Sequence, residues 1–208
     1  MRQNTFTLIE LIVVIAIIAV LAAIIAPSAF RAIEKSRASR IAADLKAIQA
    51  ASLEFYADTG QWPVHPIDPC PLPPPENCTF TGIREGHPLL VNTASAISNW
   101  NGPYLDKPAQ APVYGGVVSP GCGILGFYYT QWYQGNWNNY WYGRFDLNKD
   151  GINEMNTACS INIFPVQESV RRLLNITFDK DEVVDDTRGL LKTTGGCGGL
   201  VTYYSGSL

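Results

Sequence analysis

An α+β fold, with one long N-terminal α-helix packed on an antiparallel β-sheet that has long loops, follows from the order of residue types along the 208-residue chain. Up to Asp58 the chain consists of helix formers at helical spacing, and no Gly interrupts before Gly60. Beyond that point Gly, Pro, aromatic and short β-branched runs take over, the composition of strands and turns. All five cysteines lie in this second part, which suits folding in an oxidising compartment. Charged residues make up 16% of the chain, below the ~25% usual for soluble domains. The part through Asp58 carries net +1 and the remainder −4. Neither is basic enough to hold nucleic acid by counterion release.

The helix divides in two. Leu11 to Ala26 contains no polar side-chain atom, and from Phe6 to Pro27, 22 residues, the only ionisable side chain is Glu10. A helix needs ~20 such residues to cross hydrocarbon. A secretory signal has a shorter apolar region (~7–15 residues), and here the helical pattern continues past it. From Ser28 the pattern becomes amphipathic. Phe30, Ile33, Ile41, Leu45, Ile48, Ser52 and Phe55 fall on one stripe, with Arg31, Lys35, Arg40, Asp44, Lys46 and Glu54 around them. One helix from about Phe6 to Asp58, ending near Thr59-Gly60, would run roughly 80 Å at ~1.5 Å per residue. That exceeds any small domain's interior, so its first half belongs in lipid or against other chains. Glu10 in such a run either stays hydrated near the headgroups or faces a partner, at an insertion cost of ~2.5–3.5 kcal/mol. Pro27 removes one backbone hydrogen bond and marks a weak point or kink.

Phe6-Thr7-Leu8-Ile9-Glu10-Leu11 ahead of this apolar run resembles the N-terminus of type IV pilins and type II secretion pseudopilins. The resemblance covers Phe6 to about Pro63, with Pro27 at the family's mid-helix proline. Trp100-Asn101-Gly102-Pro103-Tyr104-Leu105-Asp106-Lys107 is similar to the W-x-G-P-Y-L-x-K signature of the major pseudopilin. The resemblance implies a prepilin peptidase that cleaves before Phe6 and methylates its amine. It also implies assembly machinery, and identical subunits packed in a helical filament. There, Glu10 would be neutralised by a neighbouring subunit's N-terminal amine, and the stretch before Pro27 can unwind. Thr5 stands where the family carries Gly, which leaves two fates for residues 1–5: removal as a leader, or retention. The chain thus divides into 1–5 as leader, 6–27 as transmembrane or filament-core helix, 28–58 as amphipathic helix and 59–208 as a β-rich globular part.

In that globular part, seven of the 14 prolines fall between Pro63 and Pro75, excluding regular helix and central strand. Cys70 and Cys78 flank this loop and are expected to clip it. Among Cys122, Cys159 and Cys197 one bond can form and one thiol is left over. Strands are expected within Phe127–Phe145, at Ile161–Phe164, Asn175–Phe178 and Gly199–Tyr204. A short helix is expected over Val166–Leu174, and a short helix or loop from Leu89 to Trp100.

Two patterns carry possible chemistry. Asp146-Leu147-Asn148-Lys149-Asp150-Gly151-Ile152-Asn153-Glu154 matches D-x-[DN]-x-[DN]-G. In such a loop Asp146, Asn148 and Asp150 converge on calcium, Ile152 adds its carbonyl, and Glu154 adds a carboxylate or a water contact. Position 12 is Thr157 rather than the bidentate Glu of an EF-hand, so this would be a stand-alone loop; the alternative is an ion-free Asx turn. Phe127–Phe145 holds ten aromatics in 19 residues, interleaved with Gln and Asn, which suits a packed core, a subunit interface or a glycan-binding face. Gly121–Gly126 fits G-x-G-x-x-G but follows Ser119-Pro120 rather than a strand, so dinucleotide binding is rejected. Both histidines abut prolines, and no catalytic grouping can be assembled. The expectation is therefore a non-enzymatic filament subunit, held in the inner membrane and then part of an extracellular pilus or periplasmic pseudopilus. The competing class is a monomeric, membrane-anchored glycan-binding protein.

Overall fold

The computed structural model describes residues 7–63, 83, 86–92, 97–109, 128–133, 146–150, 158–163, 166–181, 188–194 and 200–206. Helix α1 runs unbroken from Leu8 to Thr59, 52 residues. It ends where Gly60 adopts φ 70° and its N–H donates to the Tyr56 carbonyl at 2.8 Å. A left-handed residue there is cheap only for Gly, so the Thr59-Gly60 stop has a direct physical cause. After α1 come β1 (Tyr129–Tyr133), β2 (Ala158–Ile163), α2 (Glu168–Phe178), β3 (Leu191–Thr194) and β4 (Leu200–Gly206). The strands form one antiparallel sheet in the order β1-β2-β4-β3.

Only the C-terminal half of α1 joins the core. Ala38, Ile41, Leu45, Ile48, Ser52 and Phe55 recur at steps of three and four and are all buried. They meet Ile161 and Ile163 of β2, Val201 and Tyr203 of β4, Leu191 of β3, and Val170 and Leu174 of α2. Each fully buried large side chain in this cluster contributes ~1.5–3 kcal/mol of transfer free energy. Ser52 can sit among them because its hydroxyl donates to the Ile48 carbonyl at 2.7 Å. The expected stripe is therefore corrected at its start. Phe30 and Ile33 remain 67% and 46% exposed, and among the described residues the globular part reaches down to about Glu34 and Ala38.

A second correction concerns Asn175–Phe178, which continues α2 instead of forming a strand. The period decides it. Val170, Arg171, Leu174 and Asn175 repeat at three and four and are buried, and Phe178, one turn on, packs against Tyr203 with ring centroids 4.7 Å apart. The Leu89–Trp100 stretch, where described, is turns: the amides of Leu90 and Val91 donate to the His87 carbonyl.

The sheet's other residue set is polar and also buried. Asn162, Thr202 and Lys192 lie opposite one another across β2, β4 and β3, with Ser160 two residues along β2 from Asn162, all at 0–5% exposure. Thr202 donates to Asn162 Oδ1 at 2.7 Å, and Asn162 Nδ2 donates to Ser160 Oγ at 3.1 Å. Mutual hydrogen bonding is what makes such burial affordable.

Candidate functional site

Thr7 opens α1 with an extended backbone (φ −85°, ψ 149°). Its hydroxyl accepts from the Glu10 N–H, while the Glu10 carboxylate accepts from the Thr7 N–H at 2.8 Å and the Thr7 hydroxyl at 2.7 Å. This is a capping box, in which two otherwise orphaned amide groups are satisfied by each other's side chains. The carboxylate therefore has partners within its own chain. The Thr-x-x-Glu spacing announces such a box, a partner within the chain that stands beside the two expected for Glu10, headgroup water and a neighbouring subunit. Phe6 and Thr5 lie outside the described residues.

Above the box, thirteen large aliphatic residues from Leu8 to Ile25 are 47–75% exposed. This is the one helix, among those described, that is long and apolar enough to cross a membrane. Pro27 does not end it. Next to the proline the Ser28 hydroxyl donates to the Ile25 carbonyl at 2.8 Å.

The far end of α1 is anchored by the Trp100–Lys107 segment. Trp100 Nε1 donates to the Pro88 carbonyl at 2.8 Å, and the amides of Tyr104 and Leu105 both donate to the Leu89 carbonyl. The Tyr104 ring meets Phe55 edge-on at 5.4 Å and Trp100 edge-on at 5.8 Å, and its hydroxyl donates to Asp58 at 2.9 Å. A Cβ on Gly102 would stand 2.7 Å from the Tyr104 ring and 2.8 Å from that of Trp100. The motif's Gly thus leaves room for two rings to close on the helix end. Burial is the main reason the Tyr104 hydroxyl is pushed above its ordinary range, with the neighbouring Asp58 adding to it. Beside this, Trp62 stacks on Tyr56 at 4.8 Å.

The structure brings together three of the five expected calcium ligands. The Asp150 amide donates to Asp146 Oδ1 at 3.1 Å and to Asn148 Oδ1 at 2.9 Å. Asp146 is buried, and Lys149 between them holds φ 65°. Ile152 and Glu154 lie outside the described residues. Lys149 reaches away to form an ion pair with Asp181. The Asp146 carbonyl accepts from the Gly189 amide at 2.7 Å, and the Asp179 carboxylate accepts from the Leu190 and Leu191 amides at 2.8 and 3.0 Å. The loop is thereby tied to the end of α2 and the start of β3, a connection with no signal in the spacing. Burial raises the Asp179 carboxyl above its usual range, against the lowering effect of the two amides and Lys149.

Cys159 is a buried free thiol whose burial pushes its pKa up. Cys70, Cys78, Cys122 and Cys197 lie outside the described residues. Of the aromatic stretch, Tyr128 is buried in the core and donates to Asp44 at 2.9 Å. The backbone of 129–133 forms β1, and 134–145 lie outside the described residues.

Comparison with known families bears on the class. A family model described as the prokaryotic N-terminal methylation motif matches residues 1–26, and one described as PilW, C-terminal, matches residues 32–117. Both matched segments are associated with type IV pilins and pseudopilins. Between them the two matches take in the capping box, nearly all of α1 and the Trp100–Lys107 anchor. The chain's N-terminus fits membrane insertion and a pilus context. No curated protein and no solved structure matches it.

Proposed function

We propose that this chain is a structural, non-catalytic subunit of a type IV pilus or pseudopilus-like filament. It is inserted in the inner membrane before assembly, and then serves adhesion, motility, DNA uptake or secretion outside the cell or in the periplasm. The observation that carries this reading is the division of α1. The described residues of the globular part cover one half of the helix, and they leave the thirteen aliphatic side chains of the other half exposed. Such a face suits lipid first and the helices of identical subunits afterwards. Glu10 at its start supplies a charge for a neighbour's N-terminal amine to neutralise, with the prepilin peptidase and assembly machinery as upstream partners. The calcium loop is part of the same reading. Its support is the convergence of Asp146 and Asn148 oxygens on the Asp150 amide, and its role would be to rigidify the globular surface.

Electron microscopy of sheared surface material and of periplasmic fractions tests the filament. Uniform fibres containing this chain are expected, and Glu10→Gln should still insert in the membrane but fail to polymerise. Wild-type fibre yield from the Gln variant would sink the pairing. A chain found only as a membrane-anchored monomer that binds glycans would replace the reading.

A further inference from the structure

We propose that Arg31 and Lys35 form a basic pair that binds the phosphates of anionic phospholipids in the leaflet nearest the globular part. The inference rests on the membrane-inserted state described above.

From Leu8 to Phe30 the helix rises roughly 33 Å at ~1.5 Å per residue, close to the ~30 Å of a hydrocarbon core. Every residue in that stretch is exposed. The next ten residues, Arg31 to Arg40, carry four basic side chains against the single carboxylate of Glu34, in a chain whose net charge is −3. Of these, Arg31 and Lys35 fall at the level where lipid phosphates lie. Arg31 and Lys35, four residues apart, stand one above the other on the helix surface, and both are exposed. Their separation along the axis, roughly 6 Å, fits the ~5–8 Å depth of a headgroup layer.

Among the described residues, the nearby carboxylates do not cancel the charge of Arg31 and Lys35. Glu34 accepts the Ser169 hydroxyl of α2 at 2.8 Å and so turns toward its own fold. Glu168, at the same end of α2, pairs with Arg172 at 3.3 Å. Arg40 approaches Asp44 only to 3.9 Å and keeps 64% of its side chain exposed. A guanidinium presents a planar fork that matches phosphate oxygens, while Lys35 adds a point charge. Each basic group at a membrane surface strengthens attraction to anionic lipid by about fivefold, which is ~1 kcal/mol.

The test uses the full chain, purified in neutral detergent and offered equal amounts of phosphatidylglycerol and phosphatidylcholine, with bound lipid counted by native mass spectrometry. Phosphatidylglycerol should be retained more than fivefold over phosphatidylcholine, less so as salt rises. Arg31→Gln with Lys35→Gln should lower that preference at least fivefold, while helix content by circular dichroism and resistance to carbonate extraction stay unchanged. Equal retention of the two lipids by the wild type overturns the proposal, as does an unchanged preference in the double variant. Full displacement of the lipid by an equal concentration of inorganic phosphate would assign the basic pair to a free anion and overturn it too. A double variant that keeps the lipid preference but loses fibres would assign the basic pair to a neighbouring subunit. Absence of fibres from wild-type cells bears on the filament alone, because lipid retention is read on the unassembled chain.

Discussion

Asp179 holds three pieces of the globular part together, and its removal has a calculable effect. The residue ends α2, with its own amide donating to the Asn175 carbonyl at 2.8 Å, and its carboxylate accepts the amides of Leu190 and Leu191. Asp179→Ala leaves both amides without that acceptor. Leu191 is fully buried, so its N–H cannot recover water, whereas Leu190 is half-buried and can in part. An unsatisfied buried amide costs ~1–3 kcal/mol, so the loss should be about 2–3 kcal/mol. For a domain of this size that lowers Tm by about 5–10 °C, measurable on the detergent-solubilised chain by circular dichroism. Gly189 supplies the internal control. Its φ is 90°, and a Cβ there would stand 2.6 Å from the Asp179 carboxylate. Gly189→Ala should cost ~1–3 kcal/mol from backbone strain, plus the clash. In the double variant the clash disappears, so the two losses should sum to at least 0.5 kcal/mol more than the observed total, a gap of about the size seen for touching residues. The pH dependence has a definite sign as well. A carboxyl raised by burial binds its proton more tightly in the folded chain. It therefore contributes stability that is fully present below the unfolded value of about 3.9 and is lost as pH rises through the higher folded value. Relative to Asp179→Asn, the wild type should lose stability as pH rises from about 4. Additive losses, or a difference from the Asn variant that grows with pH, would refute the assignment of Asp179 as a half-buried clamp.

Three further outcomes are expected. Phe55→Ala should cost ~3–5 kcal/mol, because the ring is 1% exposed and meets Tyr104 edge-on; a loss under about 1 kcal/mol would mean the helix end is not packed as described. Calcium at a hundred times its Kd should stabilise the chain by ~2.7 kcal/mol, and Asp146→Ala with Asp150→Ala should abolish the response; a Tm indifferent to both calcium and chelator rules the ion out. Intact-mass analysis should show removal of Met1–Thr5 and one added methyl; a chain that begins at Met1 would mean Phe6 cannot supply the amine.

What could be read in the sequence was whatever a single periodicity or a local backbone demand writes down. The extent of α1 was legible because helical spacing runs without Gly to Gly60, and its stop because only Gly takes φ 70° cheaply. The Asn175–Phe178 segment was misread because Ile-Thr-Phe carries β propensity, while Leu174 and Phe178 face the core only if the helix continues. β3 was missed for a similar reason. Leu-Lys-Thr-Thr has one apolar residue, and its place in the sheet depends on Lys192 lying beside Thr202 in a buried polar row that no one-strand pattern displays. The Asp179 clamp joins residues about a dozen positions apart through backbone amides, which leave no trace in residue type. At the candidate site, Glu10 was legible as an anomaly, but its bond to Thr7 called for reading the helix start and the membrane charge as one feature.

That pairing bears on how a subunit could leave lipid at all. Thirteen exposed aliphatic side chains between Leu8 and Ile25 represent on the order of 20 kcal/mol of unfavourable hydration if left in water, more than the ~5–15 kcal/mol net stability of a typical domain. They must always be covered. Lipid tails are as apolar as Leu, so exchanging a lipid environment for the helices of other subunits is nearly neutral for these residues. In the proposed filament, the balance between membrane and assembly therefore rests on polar groups, of which the described apolar half holds chiefly Glu10 and Thr7. In lipid, the Thr7 amide and hydroxyl satisfy the carboxylate in part but leave its charge uncompensated. A neighbour's N-terminal amine would supply the missing charge at the same depth, with a gain bounded by the ~2.5–3.5 kcal/mol that an isolated carboxylate costs in a bilayer. A step of that size, roughly a hundredfold in equilibrium, favours assembly without making insertion irreversible. Glu10→Gln removes the gain and keeps the coat of aliphatic side chains, which is why insertion and polymerisation should separate in that variant.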